Sequence, residues 1–98
     1  MDFKLIWSDA AITDLHEICT YIAERDPQAA SRMGRGILDH VQILATFPFI
    51  GPAYPRGDQG ALREIVFRSY RIFYDVSEEL GRVVILHIWH GARRDPEV

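Results

Sequence analysis

Apolar residues return at steps of three and four near the start of the chain, at Ala11, Ile12, Leu15, Ile18, Cys19 and Ile22. That is the spacing of one helical face. Ser8, just ahead of it, suits the N-cap, where a hydroxyl accepts an early backbone N–H. The stretch Arg25-Asp26-Pro27-Gln28 breaks the stripe. Pro27 fits the first turn of a second helix and Asp26 fits its cap. The second stripe runs through Ala30, Met33, Ile37, Val41 and Leu44 to Phe47, and Pro48 is expected to end it. A short connection between two long helices predicts an antiparallel pair.

Residues 47–61, FPFIGPAYPRGDQGA, hold three of the five prolines and three of the seven glycines, and read as a loop. Beyond it the pattern changes. LREIVF, YRIFYDV and RVVILHIWH are rich in β-branched and aromatic residues and are each about one strand long. The turn Arg68-Ser69 and the stretch SEELG are short enough to join them as an antiparallel meander. FKLIW near the start is a fourth candidate strand. The expected fold is α+β, in the order βααβββ, with a helical hairpin packed on a small antiparallel sheet. Ninety-eight residues make one domain spanning 1–98.

Composition narrows the function. A 48% hydrophobic fraction marks a folded globular chain, and a formal net charge of −3 argues against gripping nucleic acid through a broad positive field. Cys19 is the single cysteine, so neither an internal disulfide nor a thiolate metal site is expected. With no HExxH and no glycine-rich strand-to-helix loop, no metal and no cofactor are expected. No basic leader, membrane-spanning run or amphipathic basic helix is visible, so a cytoplasmic protein without a membrane partner is expected.

Three stretches carry a family resemblance: WSDAAITDLHEICTYIAERDPQAA, then FPFIGPAYPRGDQGALREIVFRSYRIFYDV, then VVILHIWHGARRDPE. In this order, with REI, YRIFY and HGARR in place, the chain resembles the RelE/ParE superfamily of toxins from type II toxin–antitoxin systems. The resemblance covers nearly the whole chain. It implies a small toxin neutralised by a cognate antitoxin in a hetero-oligomer, often stabilising a plasmid or chromosomal locus. RelE-like members cleave mRNA on the ribosome, whereas ParE-like members inhibit DNA gyrase without known chemistry of their own. YRIFYDV and HGARR look more ParE-like, and the only lysine is Lys4, where RelE-like nucleases carry several to meet ribosomal RNA. The expected function is therefore ParE-like gyrase inhibition, with a RelE-like ribosome-dependent mRNA endonuclease as the alternative and a non-toxic interaction module as a third reading.

A nuclease of this kind needs a base, an acid and cations around one phosphate. Its candidates here are His90, which stands roughly where some RelE-like members put a catalytic side chain, and Arg63, with Arg93 or Arg94 as further cations. In the structural reading, His90 closes the last strand and His87, three positions away, lies on the opposite face. His16 and His40 are read as solvated. The turn at Arg68-Ser69 places Arg71 diagonally across from Glu64, the position of a cross-strand ion pair. The resemblance alternatively gives Arg71 a target-facing role, while Arg93 and Arg94, beyond the strand, are read either as a solvated tail or as target contacts. Phe49, Ile50 and Tyr54 are unusually apolar for a loop: either they cap the core, or, if exposed, they meet the antitoxin.

Overall fold

The computed structural model describes residues 2–55 and 61–91. In chain order they form β1 (Lys4–Trp7), α1 (Asp9–Ala23), α2 (Pro27–Val41), α3 (Ile43–Thr46), β2 (Ala53–Pro55), β3 (Ala61–Phe67), β4 (Tyr70–Ser77) and β5 (Arg82–His90). The caps form as the side chains dictate. Ser8 Oγ accepts from the Ala11 N–H at 3.0 Å, and Asp26 Oδ1 accepts from Gln28 and Ala29 at 3.1 Å.

The helical stripe beyond Val41 differs from expectation. The long helix stops at Val41, Gln42 serves as its C-cap and as the N-cap of the short α3, and Leu44 alone of α3 is buried. Phe47 therefore stays outside the core, 57% exposed, while Pro48 is buried.

The sheet order is β1-β5-β4-β3-β2. The expected meander of β3, β4 and β5 is present, with Phe67 opposite Tyr70 across the two-residue turn. The all-antiparallel sheet is corrected in two respects. β1 lies parallel to β5, Lys4 opposite Arg82 through Trp7 opposite Ile85, so the sheet is mixed. The loop also contributes a fifth strand, because Ala53–Pro55 pairs with Arg63–Ala61.

A bulge breaks β5: Phe73 pairs with His87 and Tyr74 with Ile85, leaving Leu86 as the extra residue. The inward set therefore runs Val83, Ile85, Ile88, and the alternation skips one position. These residues join Ile65, Ile72 and Tyr74 from the sheet and Ala11, Ile37, Val41 and Leu44 from the helices in one core. Gly36 allows the close approach of α2 to β3, since a Cβ there would lie 2.4 Å from the tip of the Phe67 ring, which would have to move.

β1 flanks β5 only as far as Ile85, and side chains of the α1 segment serve the edge beyond it. Ser8 Oγ donates to the Leu86 carbonyl at 3.0 Å, and Asp14 Oδ2 accepts from the Ile88 N–H at 3.0 Å. Backbone groups that a neighbouring strand would satisfy are thus satisfied by a helix, which also blunts the edge.

Candidate functional site

Two regions gather the residues singled out in the sequence. The first is the end of β5. His90 pairs across from Tyr70 and packs edge-on against its ring, centroids 5.6 Å apart. Together they wall a groove of about 480 Å³ whose opposite side is α1, with Asp14, Glu17 and Tyr21 on its lining. Burial raises the Tyr70 hydroxyl above its ordinary pKa, with smaller contributions from Tyr21 and Cys19. His87 lies on the other face, as alternation with one bulge requires. There its ring packs 5.6 Å from Trp89 while Nδ1 lies 3.1 Å from Asp14 Oδ2.

On that same face Phe73, fully buried, and Trp89 meet edge to face at 5.1 Å, and the Arg71 guanidinium sits 5.0 Å above Phe73. Arg71 makes the diagonal ion pair that the turn length implies. Its Nε donates to Glu64 Oε2 at 2.6 Å and its Nη2 to Oε1 at 3.2 Å, in a two-pronged geometry with little solvent access. Glu64 is 7% exposed.

The second region is the loop after α3. Arg63 stitches it to β3: its Nη1 donates to the Gly51 carbonyl at 2.7 Å and to the Phe49 carbonyl at 3.3 Å, and its guanidinium lies 4.9 Å from the Phe49 ring centre. The Gly51 N–H donates to the buried Tyr74 hydroxyl at 3.0 Å, and Glu64 N–H donates to the Pro52 carbonyl at 3.2 Å. With the backbone pinned at Pro48, Gly51 and Pro52, Ile50 is left outside, 56% exposed, so for it the core-capping reading gives way to the exposed one. Phe49 meets both readings in part: one side of its ring packs edge-on against Phe3 at 6.4 Å, at the margin of the core, while 45% of the residue stays exposed. Beside them β2 covers β3 only at Ala61–Arg63, so Ile65–Phe67 has no strand neighbour on that side among the described residues. An apolar hollow of about 400 Å³ opens there, lined by His40, Ile43, Ile50 and Val66. His40 is half-buried against Phe67, 5.4 Å between rings, and is not the solvated residue expected; His16 is exposed.

The structure does not bring His90 and Arg63 together. They stand two strands apart and four residues out of line, on the order of 15 Å at ordinary strand spacing. The side chain of Tyr54 and the whole of Arg93 and Arg94 lie outside the described residues. Among the described residues no group of three His, Cys, Asp or Glu side chains could hold a metal, and no helix is long and apolar enough to cross a membrane. Sequence reasoning missed the Tyr74–Gly51 link and the open edge of β3. Neither leaves a local signal, since each depends on where the loop lands.

Tyr74 offers a direct check on that link. Burial raises its pKa above the ordinary value, and the Gly51 hydrogen bond and Arg63 only partly oppose this. A phenol in the unfolded chain ionises near pH 10. Above that pH the unfolded state gives up a proton that the folded state keeps, so this contribution is full below about pH 10 and is lost as pH rises further. Tyr74→Phe is expected to cost about 1–3 kcal/mol near neutrality, because the buried Gly51 N–H loses its acceptor. It should also flatten the alkaline loss. Urea unfolding at about pH 7 and about pH 10.5 tests both, and equal alkaline losses in the two proteins would refute the second.

A family model described as the ParE toxin of type II toxin–antitoxin systems, parDE, matches residues 5–95. A protein of Caulobacter vibrioides named Toxin RelE2 is 35% identical over 91 residues, covering 92% of this chain and 97% of that one. A solved chain of the chromosomal ParDE toxin–antitoxin system of P. aeruginosa superposes with a TM-score of 0.72 at 22% identity, covering 90% of this chain and 95% of that one. A chain of the RelBE2 toxin–antitoxin complex of Mycobacterium tuberculosis gives 0.61 at 22% identity, covering 92% and 99%.

Proposed function

Since the chain belongs to the ParE toxin family of type II toxin–antitoxin systems, we propose that it acts by inhibiting DNA gyrase and is held silent by a cognate antitoxin seated on the Phe49–Ile50 rim. One observation carries the first part: among the described residues, the groups a ribose-directed nuclease would gather around one phosphate are held apart. Arg63 is committed to two loop carbonyls, Arg71 to Glu64, and His90 stands against Tyr70 on the order of 15 Å from Arg63. Transfer from a 2′-hydroxyl needs its base, acid and cations within hydrogen-bond reach of the same phosphodiester. The net charge of −3 points the same way, because docking on ribosomal RNA draws on a positive field.

The antitoxin assignment rests on the exposed apolar rim beside an open strand edge, a surface that an extended or helical segment would cover. Ile43, Ile50 and Val66 supply its apolar floor, and the edge of β3, unflanked among the described residues, supplies backbone groups for pairing. The RelE-like reading keeps one point in its favour, the name of the Caulobacter relative. Induction of the chain without an antitoxin, with pulse labelling of DNA and protein synthesis, separates the two. An early fall in DNA synthesis with an SOS response is expected, together with loss of supercoiling by purified gyrase. An immediate fall in protein synthesis with DNA synthesis intact would overturn the gyrase reading.

A further inference from the structure

Arg68 occupies a backbone position that suits it poorly. It is the first residue of the two-residue turn between β3 and β4 and has φ 55°, a positive value that such turns normally fill with glycine at this position. An arginine held there against its steric preference calls for a use of its side chain. The guanidinium lies 5.4 Å from the centre of the Phe67 ring. Phe67 in turn packs closely against α2 at Gly36. One helical turn before Gly36 stands Arg32, and Arg32 and Arg68 line the same cleft of about 200 Å³, floored by Ala29 and Met33. Neither arginine has an ion pair among the described residues, although the chain as a whole is acidic. Arg35, three residues along α2, is also exposed and adds to the local positive charge.

We propose that this cleft is a docking site for an acidic side chain, an aspartate or glutamate carried by a protein partner and held between the guanidinium groups of Arg32 and Arg68. Guanidinium groups bind carboxylates through paired N–H donors, and stacking on Phe67 orients one of them in advance. The lining favours a carboxylate side chain: Ala29 and Met33 offer apolar contact to the methylene groups of an aspartate or glutamate. A chain of net charge −3 also lacks the wide positive field that a polyanion requires. The site does not depend on whether gyrase or the ribosome is the toxin's target.

The test follows the arginine Nε–H resonances of the full chain, made by cell-free synthesis, during titration with an acetylated, amidated tetraglutamate peptide. Inorganic phosphate and a tetrauridylate serve as parallel titrants. The Arg32 and Arg68 resonances should shift together and saturate with the peptide. Arg32→Ala and Arg68→Gly should each weaken binding at least fivefold, and Arg68→Gly should melt no lower than the parent, because glycine accepts the positive φ without strain. No response to the peptide, unchanged affinity in Arg32→Ala, or tighter binding of phosphate or the oligonucleotide would overturn the proposal. Arg32 is exposed on a helix, so its replacement tests the site even if the turn variant folds poorly.

Discussion

Arg71→Ala is expected to destabilise the fold by about 3–5 kcal/mol, because it strands the Glu64 carboxylate in a site from which water is largely excluded. Small domains are stable by only about 5–15 kcal/mol in total, so the variant should be partly unfolded at 37 °C. Glu64→Ala should cost a similar amount, for it leaves the guanidinium without its carboxylate. The double change Glu64→Leu with Arg71→Met should recover much of the loss, since an apolar pair of similar length leaves no buried charge uncompensated. Urea denaturation of the three proteins decides the matter. Loss in the single variants with recovery in the double variant identifies the pair as a structural element of that sheet face. Near-neutral single variants would mean that solvent reaches the pair more freely than its 12% and 9% side-chain exposures imply.

Gly51→Ala should be comparably damaging, for a different reason. A Cβ at this position would lie 2.2 Å from the Glu64 carbonyl oxygen and 2.7 Å from the Tyr74 hydroxyl. The nearer atom is backbone in the middle of β3 and cannot swing away, so the loop itself has to lift. Lifting breaks the Gly51–Tyr74 hydrogen bond and pulls the Gly51 carbonyl from Arg63. A loss of about 2–4 kcal/mol is expected from the clash together with the orphaned buried donor. The functional consequence is separable. Because the same pins hold Ile50 and part of Phe49 outward, Gly51→Ala should also weaken the complex with the antitoxin. Ile50→Asp, at a 56% exposed position, should weaken it at least tenfold with the melting temperature unchanged. Thermal melts and affinity for the co-purified antitoxin separate the two effects. Full antitoxin affinity in Ile50→Asp would remove the rim from the interface.

What the sequence determined by itself is whatever depends on neighbours a few residues away. The two helical stripes, the caps at Ser8 and Asp26 and the three-strand meander are of this kind, because helix and strand periods and turn chemistry are local. The Glu64–Arg71 pair was legible too, since a two-residue turn fixes which residues face each other across it. The family resemblance added the toxin identity, through motifs spread over nearly the whole chain.

Tertiary structure decided what depends on residues far apart in the chain. β1 could be recognised as a strand, but its parallel place beside β5 is a contact across almost eighty residues that no local pattern encodes. The bulge at Leu86 arises where β5 leaves β1 and meets α1, and it re-aims the strand end that carries His87 and His90. Exposure of Ile50, and of Phe49 in part, followed from where Gly51, Tyr74 and Arg63 pin the loop, because an apolar side chain is buried only if its backbone can reach the core. The separation of His90 from Arg63, and the meeting of Arg32 with Arg68, have the same cause. Strand order and helix placement, set by long-range packing, decide which charged groups share a site.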